Sequence, residues 1–548
     1  MKKIFFLLLC ISQNLLSITY VVTTDADSGV GSLRQAILDV NSNAGVLQII
    51  SFAIGTGVQT ISPVTALPAI TAPYVFIDGT TQPGWSSNNP VIVINGSLFT
   101  PYTVDGITIS GTNYCLMSNL VINGGFNNGI LITDNGIGAN HNSVIGCFIG
   151  ADQTGSYASA NYNGIAIIGS TNVSNTDNKI GDGTLAGRNL ISGNSNCGII
   201  CSTNVNNTFI QNNFIGTNQA GTVSLPNNSG IVLIGSSVPL ITEQCSGTMI
   251  TSNLISGNSN NGIYMQANMV NTSIVNNRIG VDISGETAVP NAIGIMSEGQ
   301  ASGSVNKLVI NGSNVISGNS SHGIFLTVNT INSVIGGNFI GTDRTGISTT
   351  IGNGGNGILI QGSNGAPCSN NAIGGNNNPN IIAYNGENGI VIDGDSITPD
   401  ILNPITGNAI FNNGGDGIAL LNNSNNLQLP PTLNNVLLSL DGTELLIDVT
   451  APSVPAATTF RLDFFINNAD RTPITEGQTY TGSLNGIPSG TSIVQLFSLF
   501  SAVSASAYIS CTATNLANPL WFGNNSSSFS SNMQLETFSD DIPAIMFQ

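Results

Sequence analysis

A two-residue step of glycine followed by isoleucine recurs at eleven regularly spaced places between residues 106 and 418. Another apolar or small residue usually follows the isoleucine two places later, an alternation typical of a short strand with one buried face. The mean spacing is about 31 residues, which is short for a strand–helix–strand unit and too regular for chance. The pattern therefore predicts a solenoid of stacked coils. The glycines are Gly106, Gly129, Gly164, Gly198, Gly230, Gly262, Gly294, Gly323, Gly357, Gly389 and Gly417.

A second ladder lies between these steps, with one asparagine in nearly every interval and Cys147 in the equivalent place once. An isoleucine or valine follows two residues later, so each coil has one polar turn residue and one inward aliphatic residue. Equivalent asparagines of stacked coils would lie about 4.8 Å apart and could hydrogen-bond along a column. The asparagines are Asn119, Asn189, Asn213, Asn253, Asn277, Asn314, Asn338, Asn380 and Asn408.

The two ladders in register resemble the right-handed parallel β-helix of the pectin-lyase-like fold. This resemblance implies an all-β fold with about eleven coils over residues 91–428. The strings Asp27–Ile37 and Ile77–Gly84 are also similar to the opening segments of a large group of exported bacterial β-helix repeat proteins. Those proteins are mostly known as predicted surface or secreted proteins, so this second resemblance implies location more than reaction.

The first residues have the pattern of an export signal. Lys2 and Lys3 form a basic start, an apolar run extends to Leu16, and Ser17 is a small residue at a plausible cleavage point. The apolar run is too short to span a bilayer, and no later stretch is long and apolar enough. We therefore expect residues 1–17 to be removed, no transmembrane segment afterwards, and a secreted or cell-surface protein.

Segments of different pattern flank the repeats. Residues 18–90 form an N-terminal cap segment, in which Leu33, Ala36, Ile37 and Val40 have the spacing of a short amphipathic helix that caps the first coil. Beyond residue 428 the Gly-Ile step stops, and alternating strands predict an immunoglobulin-like β-sandwich over 429–535, followed by a tail over 536–548. The sandwich could serve as a terminal cap, an attachment module or a binding module.

Charge and cysteine usage exclude several classes of function. The 28 acidic residues outnumber the 10 basic ones and give a formal net charge of −18, a surface that repels phosphate backbones, so we expect no nucleic-acid partner. Seven of the eight cysteines follow the export signal, and none forms a CxxC pair or a cluster at zinc spacing. We expect most of them to be buried thiols.

Every second coil in the middle of the repeat carries about eight extra residues at one corner. We call residues 150–162, 216–228, 280–292 and 341–355 the long loops, and we expect them to project from one corner. Loops gathered on one face of a solenoid commonly bind ligands. The ligand-binding candidates are Asp152, Tyr157, Tyr162, Asn218, Asp282 and Asp343.

The acidic candidates share an Asp-x-x-Gly or Asn-x-x-Gly spacing that suits a turn closed by the side-chain oxygen. Tyr157 and Tyr162 could instead offer rings to the apolar face of a sugar. Neighbouring carboxylates, such as Asp282 and Asp343, would lie roughly 10 Å apart, marginally beyond the separation used by inverting glycosidases. Nothing obvious in an exposed turn would raise the pKa of one of them, so both are weak catalytic candidates.

Basic residues and histidines offer little further chemistry. Between residues 91 and 425 the bases are Lys179, Arg188, Arg278, Lys307 and Arg344. Arg344 and His322 are weak catalytic candidates, and His322 aligns with asparagines and one aspartate of other coils, which favours a turn residue. We expect no cofactor and no metal site, because the Asp-rich nonapeptide of calcium-binding β-rolls is missing; weak calcium binding stays possible.

The leading hypothesis is an exported surface or extracellular scaffold with an adhesive or carbohydrate-binding role on the long-loop face. Its partner would be a polysaccharide or a host or cell-surface glycan. The alternative is a polysaccharide lyase or glycoside hydrolase that acts on the same face. A purely structural surface-layer component is the third hypothesis.

Overall fold

The computed structural model describes residues 17–43, 45–235, 244–363, 365–375, 377–394, 399–454, 458–516 and 525–538. The predicted export signal lies outside these residues except for Ser17. The chain separates into two compact units, residues 1–273 and 274–548. We describe each unit by itself.

The first unit contains four parallel sheets, named A1 to D1. Sheet A1 consists of Ser17–Val22, Leu47–Phe52, Val75–Asp78, Leu116–Ser118, Ser143–Ile145, Lys179–Ile180, Phe209–Gln211 and Met249–Thr251. Sheet B1 consists of Gln59–Ile61, Ile92–Asn95, Leu120–Asn123, Phe148–Ile149, Leu190–Ile191, Phe214–Ile215 and Leu254–Ile255. Sheet C1 consists of Ile107–Ser110, Asn128–Thr133, Asn163–Ile168, Cys197–Ser202, Ser229–Ile234 and Asn261–Gln266. Sheet D1 consists of Asn175–Thr176, Val205–Asn206, Cys245–Ser246 and Met269–Val270.

The second unit contains the corresponding sheets A2 to D2. Sheet A2 consists of Ser273–Val275, Val309–Asn311, Val334–Ile335, Ala372–Gly374 and Ile405–Thr406. Its first strand begins at Ser273, the last residue of the first unit. Sheet B2 consists of Arg278–Ile279, Val315–Ile316, Phe339–Ile340, Ile381–Ala383 and Ala409–Phe411. Sheet C2 consists of Ile293–Glu298, Ile324–Thr327, Ile358–Gln361, Ile390–Asp393 and Ile418–Leu421, and sheet D2 of Val305–Asn306 and Thr330–Ile331.

Strands of successive coils pair in parallel and in register, which confirms the predicted right-handed parallel β-helix. In sheet C1 the isoleucines of the Gly-Ile steps lie directly above one another, and each is fully buried. These paired residues are Ile130, Ile165, Ile199, Ile231 and Ile263. The apolar core therefore runs as a stack inside the coils.

The glycine of each step is required by the close approach of neighbouring coils. A Cβ atom on Gly164 would lie 2.5 Å from the carbonyl oxygen of Gly198, and one on Gly198 would lie 2.7 Å from that of Gly230. Such contacts are far inside van der Waals distance and involve backbone, which cannot move without breaking the ladder. Any residue larger than glycine would therefore push the coils apart.

The asparagine ladder forms hydrogen-bonded columns, as predicted. In the first unit the side-chain amide of Asn189 donates to Asn213 at 2.8 Å, and that of Asn213 donates to Asn253 at 3.0 Å. In the second unit the column passes through Asn277, Asn314, Asn338, Asn380 and Asn408, with donor–acceptor distances of 3.1, 2.8, 3.0 and 2.8 Å. Each column stays buried, so its amides bond to one another and to backbone carbonyls instead of water.

Parallel pairing begins before residue 91, the boundary predicted from the ladders. Ser17–Val22 pairs with Leu47–Phe52, which pairs in turn with Val75–Asp78. These first coils lack Gly-Ile steps, so the ladder does not mark them. The one α-helix of the described residues, Leu33–Ser42, contacts Ser17–Val22, the outermost strand of sheet A1. Its buried side chains are the four predicted from helical spacing, Leu33, Ala36, Ile37 and Val40.

Two four-stranded sheets form the C-terminal sandwich of the second unit. Sheet E consists of Ser492–Ser498, Glu444–Thr450, Thr432–Ser439 and Glu536–Phe538, and sheet F of Thr479–Pro488, Thr459–Asn467, Tyr508–Asn515 and Met533–Gln534. Pairing therefore extends past residue 535, because Glu536–Phe538 adds to Thr432–Ser439. Two short 3₁₀ turns, Gly79–Thr81 and Ser424–Leu427, complete the regular structure of the described residues.

The sandwich packs on the last coil of the second unit. The backbone groups of Ile410 and Gly477 exchange two hydrogen bonds of 2.8 Å, so the sandwich continues the ladder of sheet B2. Arg471 forms an ion pair with Glu476 and donates to the carbonyl of Asn413 at 2.9 Å. These contacts cover a strand edge that would otherwise stay open.

The cysteines agree with the sequence interpretation. All seven cysteines of the described residues are unpaired, buried thiols. Burial raises the pKa of Cys115 to about 11 and that of Cys147 to about 12. No helix in the described residues has the length and apolarity needed to cross a membrane.

Candidate functional site

The long loops fold back over the B sheets and do not project. In the first unit, the loops over 150–162 and 216–228 each contain a two-residue bridge, Ala151 to Ala158 and Thr217 to Ser224. A Cβ atom on Gly155 would lie 2.8 Å from the side chain of Leu190, so the first loop rests directly on sheet B1. The large outward side chains of this sheet are buried beneath the loops, which removes their apolar surface from water.

The second unit repeats this arrangement. In the loop over 280–292, Val281 bridges to Ala288 and packs in a small buried cluster with Val315 and Ile351. Phe339 of sheet B2 packs against the same cluster. The loops of both units are thus fixed by packing, and their turns form a defined surface.

The acidic candidates close these turns with their side-chain oxygens. Asp152 accepts hydrogen bonds of 3.0 Å from two backbone N–H groups, and Asn218 accepts two at 3.0 and 3.2 Å. Asp282 accepts from a serine hydroxyl at 2.7 Å and from three backbone N–H groups, and Asp343 accepts an equivalent set. Burial alone would raise the pKa of the three carboxyls, but these hydrogen bonds outweigh it and hold each pKa below its ordinary value. They are carboxylates at neutral pH.

A cavity of about 400 Å³ opens beside the loops of the first unit, and we call it the Arg188 cavity. Its lining residues come from sheet B1, from the segment that precedes the strand Leu190–Ile191, from the loop over 216–228 and from the segment near residue 88. They are Asn88, Phe148, Leu185, Arg188, Asn189, Leu190, Phe214, Gln219 and Ala220. The Gln219 side chain donates to the carbonyl of Asn88 at 2.5 Å, and Gln153 donates to Asn89 at 2.7 Å, so both loops are attached to the segment near residue 88.

Among the described residues, no carboxylate forms an ion pair with Arg188. Its guanidinium lies 4.0 Å from the centre of the Phe214 ring and donates to the side chain of Asn212 at 3.2 Å. Its buried Nε has no hydrogen-bond partner among the described residues. In contrast, Arg34, Arg461 and Arg471 each form an ion pair.

Burial lowers the pKa of Arg188, yet a guanidinium keeps its proton at neutral pH. The cavity therefore combines a positive charge, an aromatic wall and amide groups. It can receive an anionic or hydroxylated ligand.

Two more arginines lie close together in the second unit. Arg344, beside the Asp343 turn, donates to Asn276 at 2.6 Å and to the carbonyl of Ser313 at 3.3 Å. Burial lowers the pKa of Arg278, the positive charge of Arg344 lowers it further, and Asp282 opposes them. The structure thus brings two predicted site residues, Asp282 and Arg344, close enough to the half-buried guanidinium of Arg278 to act on its charge.

The two tyrosine candidates lie in different surroundings. Tyr157 is 73% exposed at the loop turn, and its carbonyl accepts from the N–H of Asp152 at 2.8 Å. The ring of Tyr162 lies 5.5 Å from that of Tyr102, whose hydroxyl is 2.6 Å from the hydroxyl of Ser195. Tyr162 therefore belongs to a separate aromatic pair, and no ring contact to Tyr157 occurs within the described part of the chain.

His322 is part of a polar column between coils. Its Nδ1 accepts the backbone N–H of Asn356 at 3.0 Å, just as Asn356 accepts that of Asn388 at 3.0 Å and Asn388 accepts that of Asp416 at 2.8 Å. Burial lowers the pKa of His322, against the opposing charge of Glu387. The ring is therefore neutral at neutral pH and acts as a hydrogen-bond acceptor for the next coil.

Two features escape the sequence interpretation. A second asparagine column runs beside the first, and it could have been found from the recurring Ile-Ser-Gly-Asn string that ends at Asn194, Asn258 and Asn319. The Arg188 cavity has no such signal, because Asn88 and Gln219 meet only through the coil geometry. Within the described residues, no group of three or more His, Cys, Asp or Glu side chains could hold one metal ion.

No protein-family model and no curated protein matches the chain. Among solved structures, the tailspike protein gp208 of Dettilon is similar at 15% identity over 88% of this chain and 93% of that chain, with a TM-score of 0.43. The periplasmic alginate epimerase AlgG is similar at 14% identity over 66% and 77%, with a TM-score of 0.36. Pectate lyase Pel9A is similar at 14% identity over 66% and 79%, with a TM-score of 0.30. Similarity at this level carries no argument about activity, so the function has to be argued from the site itself.

Proposed function

We propose that this chain is an exported polysaccharide-binding protein whose first unit holds its ligand at the Arg188 cavity. The observation that carries the proposal is a guanidinium stacked on Phe214 in a cavity of about 400 Å³, with no carboxylate partner in the described part of the chain. A guanidinium binds carboxylate and sulfate groups through paired hydrogen bonds. The ligand would therefore be an acidic polysaccharide, with Arg188 as the contact for its charged group.

The other lining groups suit the rest of a sugar ring. The exposed Leu185 side chain offers an apolar surface, while the amides of Asn88 and Gln219 lie where they could exchange hydrogen bonds with hydroxyl groups. Asp152 and Asn218 would act indirectly. They close the turns that hold Gln153 and Gln219 in hydrogen bonds with the segment near residue 88. The exposed Tyr157 ring would extend the contact surface along the polymer.

The test is to measure affinity for a panel of acidic and neutral polysaccharides with the purified mature chain. Arg188→Gln should weaken binding of the acidic polysaccharide about tenfold or more, because a charged hydrogen bond is lost. The matched control is Lys179→Gln, which removes the same charge from an exposed side chain of sheet A1 and should leave affinity unchanged. Equal binding by wild type and Arg188→Gln, or no binding across the panel, would overturn the proposal.

A polysaccharide lyase on the same face is the second candidate. The bases that it could use are Arg188 and Arg278, and burial lowers the pKa of both, but each guanidinium keeps its proton at neutral pH. For a glycoside hydrolase, the low pKa values of Asp282 and Asp343 supply carboxylates but no proton donor. Release of unsaturated sugar products from the same panel, with and without calcium, would establish the lyase in place of a binding protein.

A further inference from the structure

A second cavity, of about 290 Å³, lies in the C-terminal sandwich of the second unit. One side is formed by Thr479, Tyr480 and Thr481 at the start of an edge strand of sheet F, with Ile466 beneath them. The other side is the loop Ser498–Ser504, which follows the edge strand of sheet E. The cavity therefore lies where edge strands of both sheets meet a loop.

The loop holds one aromatic ring fully in solvent. Phe500 is the most exposed large apolar residue of the described chain. The loop is nevertheless fixed at both ends, because the N–H of Leu499 donates to the carbonyl of Thr443 at 2.8 Å and that of Val503 donates to Gly442 at 3.0 Å. A phenylalanine ring exposed to water on an anchored loop does not stabilise the fold. Its exposure therefore indicates a binding role.

The opposite wall is equally fixed. The Tyr480 ring packs 5.7 Å from that of Phe465, and its hydroxyl accepts from Arg461 at 3.4 Å. Arg461 is itself buried and paired with Asp463. The tyrosine is thus held in position by two residues of the neighbouring strand Thr459–Asn467 of sheet F.

None of the described residues that line this cavity is charged, and their polar groups are almost all hydroxyls, which both donate and accept hydrogen bonds. We propose that it binds a neutral sugar residue, with the Phe500 ring against the apolar C–H face and the hydroxyls of Thr479, Thr481 and Ser501 bonded to its hydroxyls. A pocket of this size holds about one sugar ring. The site is independent of the Arg188 cavity, and it gives the sandwich a recognition role in addition to its contact with the last coil.

The experiment measures binding of neutral tetrasaccharides built from glucose, mannose, galactose or xylose to the full mature chain by saturation-transfer NMR. We expect at least one to bind with a dissociation constant on the order of 1 mM, and Phe500→Ala to weaken it by about fivefold or more. Phe500→Trp should retain binding and report it through fluorescence. Leu440→Ala, which removes another exposed apolar side chain outside the cavity lining, is the matched control and should bind normally.

Three results would overturn the proposal. One is the absence of binding by every tetrasaccharide, and another is equal affinity of wild type and Phe500→Ala. The third is a Phe500→Ala variant that changes the sedimentation of the protein but not its sugar affinity, which would make the ring a contact between copies of the chain. Arg188→Gln should leave neutral tetrasaccharide binding intact, so failure at one site is distinguishable from failure at the other.

Discussion

Asn338 tests whether the buried asparagine column holds the coils together. Its side chain is 1% exposed and has four polar atoms within hydrogen-bond distance. The amide donates to Asn380 at 3.0 Å and to the carbonyls of Ile310 and Gly336 at 2.9 and 3.0 Å, and the side-chain oxygen accepts from Asn314 at 2.8 Å. The two N–H groups share the three acceptors, so that with the accepted bond three hydrogen bonds count in full. At about 1 kcal/mol for each bond, Asn338→Ala should lower the free energy of unfolding by about 3 kcal/mol.

The isosteric variant Asn338→Asp sharpens this test. A carboxylate keeps the shape and can accept from Asn314, but it cannot donate, and it faces three oxygen acceptors in a buried site. We therefore expect Asn338→Asp to cost at least as much as Asn338→Ala at neutral pH.

Urea unfolding followed by circular dichroism measures both variants, with Asn260→Ala as a control because that asparagine is exposed. The control should stay within about 0.5 kcal/mol of wild type. A near-neutral Asn338→Asp would refute the claim that donation along the column stabilises the coils.

Three further predictions concern the packing of the coils. Because burial lowers the pKa of His322, the native state binds fewer protons than the unfolded state near pH 6.5. The contribution of the neutral His322 ring to stability is therefore complete above about pH 6.5 and is lost as the pH falls. His322→Asn should remove that part of the pH dependence in thermal unfolding, and an unchanged profile would contradict the assignment. Gly198→Ala should destabilise the protein by about 2 kcal/mol or more in urea unfolding, because its Cβ would lie 2.7 Å from the Gly230 carbonyl oxygen, and full tolerance would contradict the close approach. The seven buried thiols should resist a thiol reagent at pH 8 until the protein is unfolded by denaturant, and rapid native labelling of Cys115, whose pKa is about 11, would show that its coil is open.

The β-helix could be predicted from the sequence because its energetics repeat in every coil. The Gly-Ile ladder reflects a backbone contact that only glycine permits, as at Gly164, and the asparagine ladder reflects a hydrogen bond that each coil makes to the next. The turns at Asp152 and Asp282 could be predicted for the same reason, since the side chain and its donors lie within five residues. Local and repeated interactions leave a period in the sequence.

The features that could not be predicted depend on contacts that occur once. The long loops fold back because Gly155 fits over Leu190, and no period marks that fit. The Arg188 cavity requires Asn88 and Gln219 to meet across more than a hundred residues of chain. The first coils could not be recognised in the sequence, because they lack the Gly-Ile step.

The central claim, that a polysaccharide binds at the Arg188 cavity, is tested most directly by hydrogen–deuterium exchange of the mature chain with and without a saturating acidic polysaccharide. The account predicts slower amide exchange in three segments of the first unit, residues 150–162, 185–190 and 216–228, and no such change in Arg188→Gln. Exchange that is unaltered in these segments while the polymer is bound, or protection confined to other parts of the chain, would contradict it.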